Sequence, residues 1–163
     1  MHIHLDLVGG LSGNMFVGAM LDYLETPVPE LLTQIELAGF AHLVELSATK
    51  KNDGVLTGTY FNVLAESEAH HHRHYRDIKQ SIEASSLGEK TQQISLDIFL
   101  LLAEAEAEVH GKAVEDIAFH EVGAWDSIAD IITAAWLIDQ TGITSASVSP
   151  LPLGGGRVKT AHG

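Results

Sequence analysis

The 163-residue chain contains no cysteine. That excludes disulfides, thiolate nucleophiles, iron–sulfur clusters and thiolate zinc sites together. A metal could be held only by imidazole, carboxylate, backbone groups or a ligand's own atoms, and imidazole suits nickel, zinc and copper. Positive charge is scarce: 9 Lys and Arg face 22 Asp and Glu, a formal charge of −13. Backbone contact with nucleic acid needs a basic surface, so no nucleic acid partner is expected. A negative field instead concentrates cations. Long apolar runs are missing too. The richest, 128–138, includes Asp130 and is too short to cross a bilayer, so no membrane partner is expected. No basic segment followed by an apolar one and a cleavage site opens the chain, which makes the cytoplasm the expected location. Repeats, long linkers and low-complexity tails are also lacking. What is present, 45% hydrophobic and 19% charged residues, is the composition of a globular domain with a core.

Residues 3–8 read as a short, largely buried strand. Gly9, Gly10 and Gly13 follow, and apolar residues recur at helical spacing from about Asn14. A second short helix is expected to start at Pro29 and run to about Leu37, with Gly39 ending it. Strands over 42–48 and 55–65 flank Asn52-Asp53-Gly54, which supplies hairpin turn chemistry. A helix is expected from Tyr75 to Ala84. Another, over 91–110, presents Ile94, Ile98, Leu101, Leu102, Ala105 and Val109 on one apolar face and stops at Gly111. The series Glu104, Glu106, Glu108 and His110 on it reads as a solvated face. Residues 114–119 suggest a short extended piece. A helix over 127–140 is apolar on most sides, hence central, and Gly142 ends it. A last strand over 146–153 leads to Gly154-Gly155-Gly156. The order β-α-α-β-β-α-α-α-β predicts an α/β or α+β single domain, a mixed β-sheet packed with about five helices.

Four segments could carry chemistry. His70-His71-His72-Arg73-His74 puts four imidazoles in five residues. In an extended chain His70, His72 and His74 share a face, so two or three nitrogens can reach one cation; an exposed polar or pH-responsive loop is the plainer reading. In the run 119–130, His120 and Glu121 precede a glycine turn, and Asp126 and Asp130 lie one helical turn apart. A histidine with carboxylates nearby can bind metal or move protons. Spacing alone favours capping for Asp130, because Ser127 and Asp130 resemble a capping box. The turn Gly10-Leu11-Ser12-Gly13-Asn14 joins a strand to a helix N-terminus, where an anion could sit, although its spacing matches neither the dinucleotide nor the P-loop motif. Finally, Gly154, Gly155 and Gly156 offer open backbone N–H groups, with Arg157 and Lys159 supplying charge for a phosphate or carboxylate. Each of these two could equally be only a turn or loop.

In order and spacing, these segments resemble the LarC family of nickel-insertion proteins. The matching residues are Asp6 with Gly10-Leu11-Ser12-Gly13-Asn14-Met15; His70 to His74; Ala103 to Glu106 with Val109-His110-Gly111; Phe119 to Ala124 with Asp126-Ser127-Ile128 and Asp130-Ile131; and Pro150 to Gly163. The family pattern has Asp where this chain has Asn14, which could still act as a helix N-cap. The resemblance implies insertion of nickel into pyridinium-3,5-bisthiocarboxylic acid mononucleotide. The product is the nickel-pincer cofactor of lactate racemase-type enzymes, and the activity is that of a nickel chelatase of the lyase class. The resemblance also implies dependence on CTP with Mg or Mn. CTP would bind in a C-terminal part beyond residue 163, so 1–163 is expected to be an N-terminal domain truncated relative to the family. The missing part, in the same protein or in a split-gene partner chain, is then an expected partner, beside the mononucleotide precursor. Expected nickel contacts are His70, His71, His72, His74 and His120. Expected catalytic residues are His120, Glu121 and Asp126, and expected contacts to the nucleotide are Gly10, Ser12, Gly13, Gly154 to Gly156, Arg157 and Lys159. A surface histidine loop could also join copies into a homo-oligomer through shared metal. The alternative is a non-catalytic nickel-binding, storage or delivery module.

Overall fold

The first and last strands of the chain lie side by side. β1 (His2–Leu5) pairs in parallel with β6 (Ser145–Val148), His2 opposite Ser145 and Leu5 opposite Val148. The computed structural model describes residues 1–65, 73–119, 122–152 and 154–156. Between the two strands come helices α1 (Gly13–Leu24) and α2 (Val28–Leu37), then the antiparallel hairpin of β2 (Val44–Asn52) and β3 (Thr57–Ala65). A two-residue strand β4 (Arg73–His74) opens into α3 (Tyr75–Glu83). The long α4 (Glu89–His110), a second two-residue strand β5 (Ala118–Phe119) and α5 (Trp125–Thr141) complete the order. β4 and β5 are antiparallel, Arg73 opposite Phe119 and His74 opposite Ala118. Among the described residues the expected mixture of parallel and antiparallel strands with five helices is present, distributed over three two-stranded ladders.

Local chemistry explains the boundaries. Pro29 sits in the first turn of α2, where its missing N–H costs nothing. In the hairpin turn the Asp53 carboxylate accepts from the Val55 and Leu56 N–H groups, and Gly54 takes φ +96°. Gly111 and Gly142 end α4 and α5 in the left-handed conformation, with φ of 63° and 62°. The outer strands are shorter than the apolar pattern predicts: β1 ends at Leu5 and β6 at Val148.

α5 is central, as its all-round apolar pattern predicts. Its Ile128, Ala129 and Ile132 join Phe99, Phe119 and Ile82 in one buried cluster. Its Leu137 joins Val17, Leu31 and Phe61 in a second, and Leu46 and Val63 touch both. α1 lies so close to the hairpin that a Cβ on Gly18 would fall 2.6 Å from the Thr59 carbonyl.

α4 corrects the sequence reading. Its buried stripe is Thr91, Ser95, Phe99, Ala103 and Ala107. That lies roughly a third of a turn from the predicted face. Leu101 and Val109 are 67% and 81% exposed. Two small alanines let α4 approach its neighbours closely, and the buried hydroxyls are satisfied: Ser95 donates to the Thr91 carbonyl within α4 at 2.8 Å, and Thr91 donates across to Asp139 of α5 at 3.0 Å. A count of large apolar residues misses a stripe built from Ala, Ser and Thr.

Candidate functional site

Parallel pairing makes both glycine segments leave from the same end of the β1–β6 ladder. The turn with Gly9 and Gly10 follows β1, and Gly154 to Gly156 follow β6. The link is tightened by Ser149, whose hydroxyl accepts from the Leu7 N–H at 2.8 Å. The carboxyl ends of parallel strands next to a helix N-terminus are a common ligand position, because unpaired N–H groups gather there. α1 starts at this place with Ser12 as N-cap. Asn14 is not the cap; it lies inside the first turn and accepts from the Ser12 hydroxyl at 2.5 Å.

Asp130 reaches this helix start from α5. A Cβ on Gly13 would stand 2.7 Å from both the Asp130 Cβ and Oδ2, so only glycine admits the carboxyl so close. Asp130 therefore does not cap its own helix, as Ser127-x-x-Asp130 suggested. α5 starts earlier, at Trp125 with Ala124 as N-cap, and Asp126 is the acid that accepts a first-turn N–H, from Ser127 at 2.7 Å. Asp130 Oδ1 is buried and has no hydrogen-bond partner among the described residues. Burial, and then the nearby Asp126 charge, push its carboxyl up to about 6 from the usual 3.8, while the Asn14 backbone N–H pulls the other way. Desolvation outweighs both that N–H and the favourable end of the α1 dipole.

A second cluster sits at the start of α5. The Arg73 guanidinium stacks 3.7 Å from the Trp125 ring centroid and donates to the Gly123 carbonyl at 2.5 Å. Trp125 leans on Phe40 with centroids 5.1 Å apart. A Cβ on Gly123 would lie 2.8 Å from the Phe119 carbonyl, so this turn folds tightly over β5. His74 is half-buried as N-cap of α3, and its Nδ1 and the Trp125 Nε1 are buried without partners among the described residues. A cleft of about 230 Å³ runs beside Arg73, Asp77 and Trp125.

His70, His71, His72, His120, Glu121, Arg157 and Lys159 lie outside the described residues. Their flanks are informative all the same. Arg73 follows the histidine run, Phe119 precedes His120, and the two are paired neighbours in β4 and β5. The ladder thus brings the residue that follows one run beside the residue that precedes the other, close to Trp125 in the first turn of α5. Among the described residues no three His, Asp or Glu side chains are grouped to hold a metal ion. Sequence reasoning missed the Arg73–Trp125–Gly123 clamp; the arginine that interrupts the histidine run was its only signal.

The larger cleft, about 380 Å³ between α1 and the hairpin, is a weaker candidate. Its Asp22 carboxylate pairs with Lys50 and accepts from Thr59, and these bonds, the Lys50 one first, lower its pKa. That acid is satisfied and serves to tie α1 to the hairpin, whereas Asp130 is not satisfied.

The family described as nickel insertion protein matches residues 3–163. The chain belongs to the nickel insertion protein family. It is 42% identical over 163 residues to a protein of Roseiflexus castenholzii named for nickel insertion, covering 99% of this chain and 40% of that one. Similarly named proteins of Geotalea uraniireducens and Citrifermentans bemidjiense are 40% and 43% identical, covering 99% and 98% of this chain and 41% of each. The chain thus spans about two-fifths of the length of the curated relatives it matches. No solved structure matches it. Among the described residues no helix is long and apolar enough to cross a membrane.

Proposed function

We propose that this chain binds nickel in the cytoplasm and contributes the first part of a nickel chelatase. The substrate is pyridinium-3,5-bisthiocarboxylic acid mononucleotide, and the product is the nickel-pincer cofactor of lactate racemase-type enzymes. Family membership over 3–163 is the observation that carries this reading. Nickel is cargo here, taken up by the His70 to His74 run. Insertion forms a nickel–carbon bond flanked by two nickel–sulfur bonds, and the carbon gives up its hydrogen as a proton. A base is therefore required, and its best pKa lies near the working pH. His120 and Glu121 are candidates by position. Asp130 is a candidate by chemistry, since burial brings its carboxyl to about 6. Asp126, close enough to raise Asp130, would share the proton and the metal.

The mononucleotide phosphate would rest at the start of α1 on the Ser12 and Gly13 N–H groups, beside the Gly10 turn, whose own N–H donates to the Leu7 carbonyl at 2.9 Å, with Gly154 to Gly156, Arg157 and Lys159 as further contacts. CTP with Mg or Mn is the family's further expected requirement, and among the described residues no three His, Asp or Glu side chains are grouped to hold such an ion. CTP and its ion would act in the other part of the family protein, as a continuation or a separate chain.

The test combines this chain with the remaining part of a longer relative, nickel, precursor and CTP. His120→Ala should spare nickel uptake and lower insertion by about 100-fold or more. Insertion at the unmodified rate would overturn the interior assignment. One observation favours a delivery module instead: four histidines stand within residues 70–74. In that case replacing those four abolishes uptake, and His120→Ala has no effect on insertion.

A further inference from the structure

We propose that the outer edge of β6 receives a strand from the other three-fifths of the family protein, extending β1–β6 into a larger sheet. Parallel ladders are normally covered on both faces, and two strands alone are marginal. This ladder breaks both rules. All four residues of β6 are exposed, Val148 by 57%, while β1 alternates between exposed and half-buried. The two strands pack chiefly against each other. Such a ladder is the start of a sheet rather than a finished one.

The faces differ, as the two-residue period requires. On one, His2 Nδ1 and Nε2 bond the Ser145 and Ser147 hydroxyls at 2.9 and 3.0 Å, and His4 Nδ1 bonds Ser147 at 2.8 Å. These bonds fix the register of β6 against β1. The other face carries Ile3, Leu5, Ala146 and Val148. Ser149 N–H donates to the Leu5 carbonyl at 2.9 Å. Alternation then turns the Ala146 and Val148 N–H groups away from β1, toward the outer edge. Edges left in water are usually blunted by lysine, proline or a bulge. β6 reads Ser-Ala-Ser-Val, and no charged residue occurs from Gln140 to Gly156 in a chain of net charge −13.

The occupant follows from length and charge. The relatives match 98–99% of this chain but only 40–41% of themselves, so most of each lies outside the matched part. A second copy would instead bring two chains of charge −13 together.

Hydrogen exchange tests this on the intact Roseiflexus castenholzii relative beside this chain alone. In this chain the Ala146 and Val148 amides should exchange freely. In the intact relative the corresponding amides should exchange at least tenfold more slowly. Proline at the position matching Val148 should restore fast exchange along that strand, while Val148→Pro in this chain leaves its thermal midpoint unchanged; lysine at the same position, which keeps the N–H, should weaken protection in the relative. Equal exchange in the two proteins overturns the proposal. So does protection in this chain alone that grows with its concentration, which would make a second copy the occupant.

Discussion

Asp130 and Asp139 belong to the same helix and are treated in opposite ways. Asp139 accepts from Thr91 at 3.0 Å and pairs with Lys90 at 3.2 Å, so both of its oxygens have partners from α4. Asp130 has Asn14 backbone N–H for one side of its carboxyl and no partner for Oδ1 among the described residues. Asp139 fastens two helices. Asp130 costs stability where it stands, because a half-buried carboxylate is poorly solvated and a neighbouring acid repels it. The glycine at the first residue of α1 is what admits it so close.

The largest effect that would break this contrast is on insertion. Asp130→Asn should lower nickel insertion by about 100-fold, and Asp139→Asn by less than about twofold, if only Asp130 moves a proton. Equal rates for both variants would remove Asp130 from the mechanism. Next comes Gly13→Ala, whose Cβ would meet Asp130 at 2.7 Å. The overpacking should cost about 1–3 kcal/mol, read as a fall in the urea midpoint.

A smaller effect concerns pH. The folded Asp130 carboxyl holds its proton up to about 6. Its folded pKa is raised, so its share of stability is greatest below about pH 4 and is lost as pH rises through 6. Asp130→Asn should therefore be more stable than the unmodified chain at pH 7, by about 1 kcal/mol once solvent screening of a part-exposed group is allowed for, with the two converging near pH 4. Thermal unfolding at both pH values would check this. The smallest effect belongs to the other acid: Lys90→Ala, with the lysine 57% exposed, should cost about 0.5 kcal/mol or less.

Much of the fold was legible because its signals are local. Pro29, Asp53-Gly54, Gly111 and Gly142 each act within a few residues, and the elements begin or end where they predict. The α4 face was misread because its buried stripe is small and polar, with partners on other elements. Asp130 was misread for a related reason. Its spacing from Ser127 imitates a cap, and the partner that matters is Gly13, more than a hundred residues earlier. The Arg73–Trp125 stack depends on β4 meeting β5, a two-residue pairing with no periodic signal. The nickel and nucleotide assignments came from resemblance, and His70 to His72, His120, Glu121, Arg157 and Lys159 fall outside the described residues.

The central claim is that α5 carries one acid held half-buried and short of partners beside the start of α1. A carbon-detected NMR titration of the Asp130 carboxyl, assigned through Asp130→Asn, tests it directly. The account predicts a midpoint of about 6. A midpoint near 3.8, the ordinary aspartate value, would contradict it.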